Sequence, residues 1–175
     1  MLRRTLTTTA SLLLIPALAL AAVEKFSVDP VHSEVSFTIR HLVSKVTGHF
    51  NQFEGELMID PSDPSTMSFN GKIMTASINT NNDRRDGHLK SGEFFAADSF
   101  PEITFKSKSV AKAGSAWTVT GDLTMRGVTK EVPLNVEILG VTPTPIMGGI
   151  RLGLEATGKL NRKDFSVLWN KTLDG

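Results

Sequence analysis

The sequence predicts an all-β fold, a closed antiparallel up-and-down β-barrel with one short helical plug. Three observations carry this. Apolar and polar residues alternate with period two over most of the 175-residue chain, the mark of strands with one dry and one wet face. Turn residues separate the alternating runs at lengths that suit a meander. The alternation breaks once, in Arg84-Arg85-Asp86-Gly87-His88-Leu89-Lys90-Ser91-Gly92-Glu93-Phe94-Phe95, a dozen residues bounded downstream by Pro101 that crowd charge, a histidine and a Phe pair together.

The strands follow in order. Val35, Phe37 and Ile39 alternate with Ser36, Thr38 and Arg40; Phe53, Gly55, Leu57 and Ile59 alternate with Glu54, Glu56, Met58 and Asp60. Pro61-Ser62-Asp63-Pro64 turns the chain into a less regular run from Phe69 to Ile78. After the central plug come Ile103–Val110, a Gly114-Ser115 turn and Trp117–Met125. Arg126-Gly127 is a hairpin signal before Glu131–Leu139, since a tight glycine-containing turn between two alternating runs joins antiparallel neighbours. Pro133 cannot donate to a ladder, so its N–H position must face a bulge or an unpaired edge. A Pro- and Gly-containing loop then leads to Ile150–Leu160. Together with Phe50–Asp60 this makes seven strands and a weaker one at Phe26–Val28; about eight strands close around an interior that holds one small ligand.

Composition narrows the function classes. Arg3 and Arg4 precede an apolar run from Leu12 to Leu20 that ends Ala19-Leu20-Ala21. A basic start, a short apolar core and a small-x-small site form a secretory signal, too short for a membrane span. The expected organisation is therefore a signal peptide over residues 1–21 and one domain over 22–175, in the periplasm. Losing Arg3 and Arg4 from 19 Lys+Arg against 18 Asp+Glu leaves a formal charge of −1, which offers no nucleic-acid footprint and no polybasic anchor. With no cysteine, no lipid attachment site and no disulfide is available. An outer-membrane barrel would carry aromatic girdles, but the chain has no Tyr and only two Trp. The apolar face is thus expected to point inward, without stable membrane insertion.

Several motifs then identify a resemblance. Phe26-Ser-Val-Asp29-Pro-Val-His32-Ser33, Val35-Ser-Phe37, His41-Leu42 and Val46-Thr-Gly48-His-Phe50 open the series. Arg85-Asp86-Gly-His88-Leu89, Phe94-Phe95, Phe100-Pro101-Glu-Ile103-Thr-Phe105 and Gly121-Asp-Leu123-Thr124 continue it, and Gly127-Val-Thr129-Lys130 and Asn161-Arg162-Lys-Asp164-Phe165 close it. Together they resemble the YceI-like polyisoprenoid-binding family across the whole exported chain. The resemblance implies a lipocalin-like barrel in the bacterial periplasm that encloses a polyisoprenoid, an isoprenoid quinone or a similar long-chain lipid. It also implies one more strand after Asp174-Gly175, so the barrel is expected to lack its final strand, and it departs from the family at Ser166, where a glycine is usual.

Strand parity assigns Phe37, Ile39, Phe53, Leu57, Ile73, Phe105, Leu123, Leu134, Val136, Leu152 and Leu154 to an apolar, ligand-binding lumen. His32, Arg85, Asp86, His88 and Arg162 are candidates for a polar rim, either as structural ion pairs and turn contacts or as contacts to a head group. No metal site is expected, because the histidines form no H-x-H or H-E-x-x-H pair and no thiolate is present. Ser33, Asp86 and His88 could be cast as a triad, but geometry alone defines one and no G-x-S-x-G elbow is present; no enzymatic activity and no cofactor are expected. Asn170-Lys171-Thr172 matches a glycosylation sequon, which bacterial export makes irrelevant. The expected function is that of a carrier for a long-chain lipid, with a homodimer left open. The alternative is a packed, stress-related structural or interaction protein without cargo, and the interior glycines Gly55, Gly71, Gly121 and Gly158, with Ala156, are expected to leave room that favours the carrier.

Overall fold

The structure, a computed structural model, describes residues 22–41, 43–144 and 148–169. The expected signal segment 1–21 and the chain end with its sequon and Asp174-Gly175 lie outside the described residues.

Among the described residues ten strands and one α-helix follow one another as β1 (Glu24–Ser27), β2 (Val35–His41), β3 (Ser44–Phe50), β4 (Phe53–Asp60), β5 (Asp63–Met74), β6 (Ile78–Asn79), α1 (Asp83–Lys90), β7 (Glu102–Ala113), β8 (Ala116–Met125), β9 (Val128–Pro143) and β10 (Ile150–Thr157). A seven-stranded antiparallel sheet in the order β1-β4-β5-β7-β8-β9-β10 curls into a nearly closed barrel, and β2-β3-β6 form a small second sheet. The predicted all-β barrel with one short helix is therefore the fold.

Two of the sequence expectations are corrected. The run read as one strand from Phe50 to Asp60 is two, because Asn51-Gln52 turns the chain between β3 and β4. The strand around Val35–Arg40 pairs with β3 rather than joining the barrel sheet; alternation reports which faces are dry, not which strand lies alongside.

Local chemistry explains the joints. Arg126 and Gly127 both have positive φ, 50° and 72°, the twist of a two-residue hairpin loop that matches the twist of its flanking strands, and Met125 faces Val128 across it. Asn82 caps α1 by accepting the Arg85 N–H at 2.9 Å, satisfying a donor that the first helical turn leaves free. Pro133 lies opposite Thr120 of β8 and two residues beyond the last β9–β10 pair, Asn135 with Thr157, so its side toward β10 is an unpaired edge.

A bulge shifts parity along β7. Between Ser107 and Ser109 the β7–β8 register slips, which puts Lys108 on the outer face, where its ammonium bridges Asp122 at 2.9 Å and Glu131 at 3.1 Å. The outer face also carries Lys72 between Glu54 and Glu102. Charge on that face and apolar burial on the other mean that the apolar side is the inside.

Candidate functional site

The barrel interior is apolar in two zones that share one residue. At one end Phe50, Ile78, Ile103, Met125, Val132, Phe165 and Val167 are buried. Along the barrel Leu57, Ile59, Met67, Val119 and Val136 form a second buried group. Phe105 packs against both, so the dry surface is continuous. Strands of 12 residues, such as β5 and β7, run roughly 40 Å at about 3.3 Å per residue, giving the interior an elongated shape.

The assigned lumen residues separate into three groups. Leu57 and Val136 are buried, and Ile73, Phe105, Leu123, Leu134 and Leu152 are half-buried against the two zones. Phe37 joins the first zone, but from the small sheet. Ile39, Phe53 and Leu154 belong to neither zone, with Ile39 43 % and Leu154 37 % exposed. Ile39 stands on the hairpin outside the barrel sheet, whereas Phe53 lies across from Ile73 and Leu154, on the sheet's last strand β10, lies across from Ile138. Residues that the parity reading passed over, Phe26, Phe69, Trp117 and Ile138, line the second zone.

The interior glycines do not leave the room expected of them. A Cβ on Gly71 or Gly55 would meet the Phe69 ring at 2.7 or 2.8 Å, one on Gly121 would meet Phe105 at 2.5 Å, and one on Gly158 would meet Leu134 at 2.6 Å. Their missing side chains are occupied by neighbouring ones, which is how aromatic rings rescue strand glycines. Several inward side chains are nonetheless only half-buried, among them Phe69, Leu123, Leu134 and Ile138. A shallow groove of about 440 Å³ opens over the β9 edge between Thr118, Leu134 and Gly158.

The candidate polar rim divides into separate local networks. Asp86 is buried and accepts from the Thr80 N–H at 2.9 Å and the Thr80 hydroxyl at 2.5 Å. Arg85 donates to the Thr80 hydroxyl and carbonyl, both at 2.7 Å. Arg85 and Asp86 thus hold α1 of the plug through one threonine, and among the described residues they form no ion pair with each other or with Arg162. His32 lies 2.8 Å from Asp29, a turn contact that, with the Val31 N–H, holds the Asp29 carboxyl below its usual range.

His88 and Arg162 do meet, around Phe94. His88 pairs with Glu93 and packs edge-on against Phe94 and Trp169, at centroid distances of 4.9 and 5.0 Å. Arg162 sits 5.8 Å over the Phe94 ring, and Arg126 donates to the carbonyls of Phe94 and, at 2.7 Å, of Gly92. This cap fastens the segment after β10 to the plug. Trp169 has no period-two neighbour to announce it, so only the fold reveals its place. Among the described residues no group of three or more His, Asp or Glu side chains is placed to hold a metal ion, and no helix is long and apolar enough to cross a membrane.

The YceI-like domain model matches residues 26–175. A UPF0312 protein of Staphylococcus aureus is 43 % identical over 150 residues, covering 85 % of each chain. A Campylobacter jejuni YceI protein of known structure is 35 % identical with a TM-score of 0.66, over 81 % of this chain and 83 % of that one. BcnA of Burkholderia cenocepacia, at 23 % identity, shares the fold with a TM-score of 0.72 over 82 % and 86 % of the two chains.

Proposed function

We propose, from the premise that this chain belongs to the YceI-like domain family, that it carries one long-chain lipid of the polyisoprenoid class in its barrel. The observation that supports this most is the state of the inward side chains: Phe69, Phe105, Leu123, Leu134 and Leu152 face the interior yet are only half-buried. A solid core would cover them. Left open, they present continuous apolar surface that a flexible hydrocarbon can remove from water.

Burial of each methylene contributes roughly 0.8 kcal/mol, so about fifteen of them contribute on the order of 12 kcal/mol. That offsets the roughly 4–15 kcal/mol that association and ordering cost. Affinity should therefore follow tail length more than head group. Arg85 and Asp86 are engaged with Thr80, so in this reading they hold the plug and do not touch cargo. No chemistry is assigned to the site. We place the carrier in the periplasm on the strength of the Arg3-Arg4 and Ala19-Leu20-Ala21 signal.

The packed, cargo-free alternative draws support from the rings that fill the glycine positions. Native mass spectrometry of protein purified without detergent separates the two. A carrier retains a co-purifying lipid of defined mass, and a preparation that is uniformly lipid-free, and stays so after incubation with polyprenol, rejects it.

A further inference from the structure

The β2–β3 hairpin ends in an amphipathic tip that the barrel does not cover. At its base, Val35 and Phe37 pack into the buried zone around Phe50. One pair further out, Ile39 faces Val46, and there Ile39 is 43 % exposed and Val43 in the turn is fully exposed. The apolar side of the hairpin therefore runs from the buried core out to Ile39 and Val46, and the exposed Val43 follows in the turn beyond them. On the opposite side Arg40 stands directly across from Lys45, and both are exposed.

Like charges in opposed positions destabilise an antiparallel pair, and among the described residues neither cation has a carboxylate partner. We infer that this tip docks on an anionic bilayer surface during cargo exchange, an inference that rests on the carrier reading above. Val43 at the turn, with Ile39 behind it, enters the boundary between head groups and acyl chains, while the basic pair reaches phosphate level, as long cationic side chains do at interfaces. An anionic surface also relieves the repulsion between Arg40 and Lys45. A second copy of the chain fits worse, since a symmetric tip-to-tip contact would oppose the same basic pair to itself. With a formal charge near neutral, +1 over the whole chain and −1 without Arg3 and Arg4, the local pair rather than the overall field directs the contact.

The test is co-sedimentation of the purified protein with vesicles of phosphatidylethanolamine and phosphatidylglycerol, compared with phosphatidylcholine alone, with native mass spectrometry on the same preparation. Binding should favour the anionic vesicles, and Arg40→Gln with Lys45→Gln should weaken it roughly thirtyfold, about fivefold for each charge. Val43→Asp should weaken it on both vesicle types. The neutral double variant removes a repulsion, so its unfolding midpoint should not fall, which separates lost docking from lost folding. Equal binding to both vesicle types, or undiminished binding by the double variant, overturns the docking role alone when the wild type still retains lipid. A wild type that never takes up lipid overturns the carrier reading itself.

Discussion

The Phe105 ring stands where a side chain on Gly121 would project, its Cζ 2.5 Å from the position of a Cβ there, and the Lys106 carbonyl oxygen is equally close. The glycine is thus required by a ring on one side and by backbone on the other. A ring can turn about its own side-chain bonds, but a ladder carbonyl is held in place. Gly121→Val should therefore cost about 2–3 kcal/mol, whereas Gly71→Ala, which meets mainly the Phe69 ring, should cost about 1 kcal/mol. Urea unfolding midpoints of the two variants check the order; equal losses would mean that the ring contacts, not the carbonyl, set the limit.

Thr80 is the anchor of the plug. Asp86→Ala leaves the Thr80 N–H and hydroxyl without their buried acceptor and should destabilise by about 2–3 kcal/mol, in the range for hydrogen bonds to a charged group. Arg85→Ala should act in the same direction and should not add fully to it, because both side chains use the same threonine. A double-mutant cycle on thermal unfolding reads this; strict additivity would show that the two contacts are independent.

Much of this architecture is legible from residue order, and the exceptions have physical causes. Period-two alternation reveals β4, β7, β8, β9 and β10 because each has one dry face. It is silent on partners, which is why Val35–His41 looks like a barrel strand when it pairs only in the small sheet. It also loses count at bulges: the slips at Lys108 and Leu139 move Val110 and Val141 into register with Val119 and Leu152. Gly55, Gly71 and Gly121 can be placed inside by parity, but only the fold shows that Phe69 and Phe105 already lie over them. The Phe94 cap joins His88, Arg126, Arg162 and Trp169 from distant parts of the chain, and no local pattern foretells it.

Acid should loosen the β4–β5 turn. The Ser62 hydroxyl and then the Ser62 N–H, at 2.6 and 2.8 Å, hold the Asp60 carboxyl below its ordinary value of 3.8. The folded state therefore binds this proton less readily than the unfolded chain. Its stabilising effect is complete above the unfolded value and is lost as pH falls below about 4 toward the folded one. Asp60→Asn should destabilise at neutral pH and flatten the fall in stability in acid. Thermal midpoints measured from neutral pH downward check it; parallel curves for wild type and variant would exclude the turn as a source of the acid response.

Leu134 tests the interior most directly. It faces inward, in register with Val119, yet is only half covered, so a glutamate there can keep its charge hydrated while the barrel is empty. A lipid tail laid over it would strip that water away, and burying an unpaired carboxylate costs several kcal/mol. Leu134→Glu should therefore fold but lose a hundredfold or more in lipid affinity, since about 3 kcal/mol corresponds to that ratio. Asn135→Glu, one residue along on the outer face, changes charge equally and should bind as the wild type does. Circular dichroism confirms folding, and retention of polyprenol on gel filtration reports binding. If Leu134→Glu holds lipid as tightly as Asn135→Glu, the tail does not lie against β9 and the interior assigned to it is wrong.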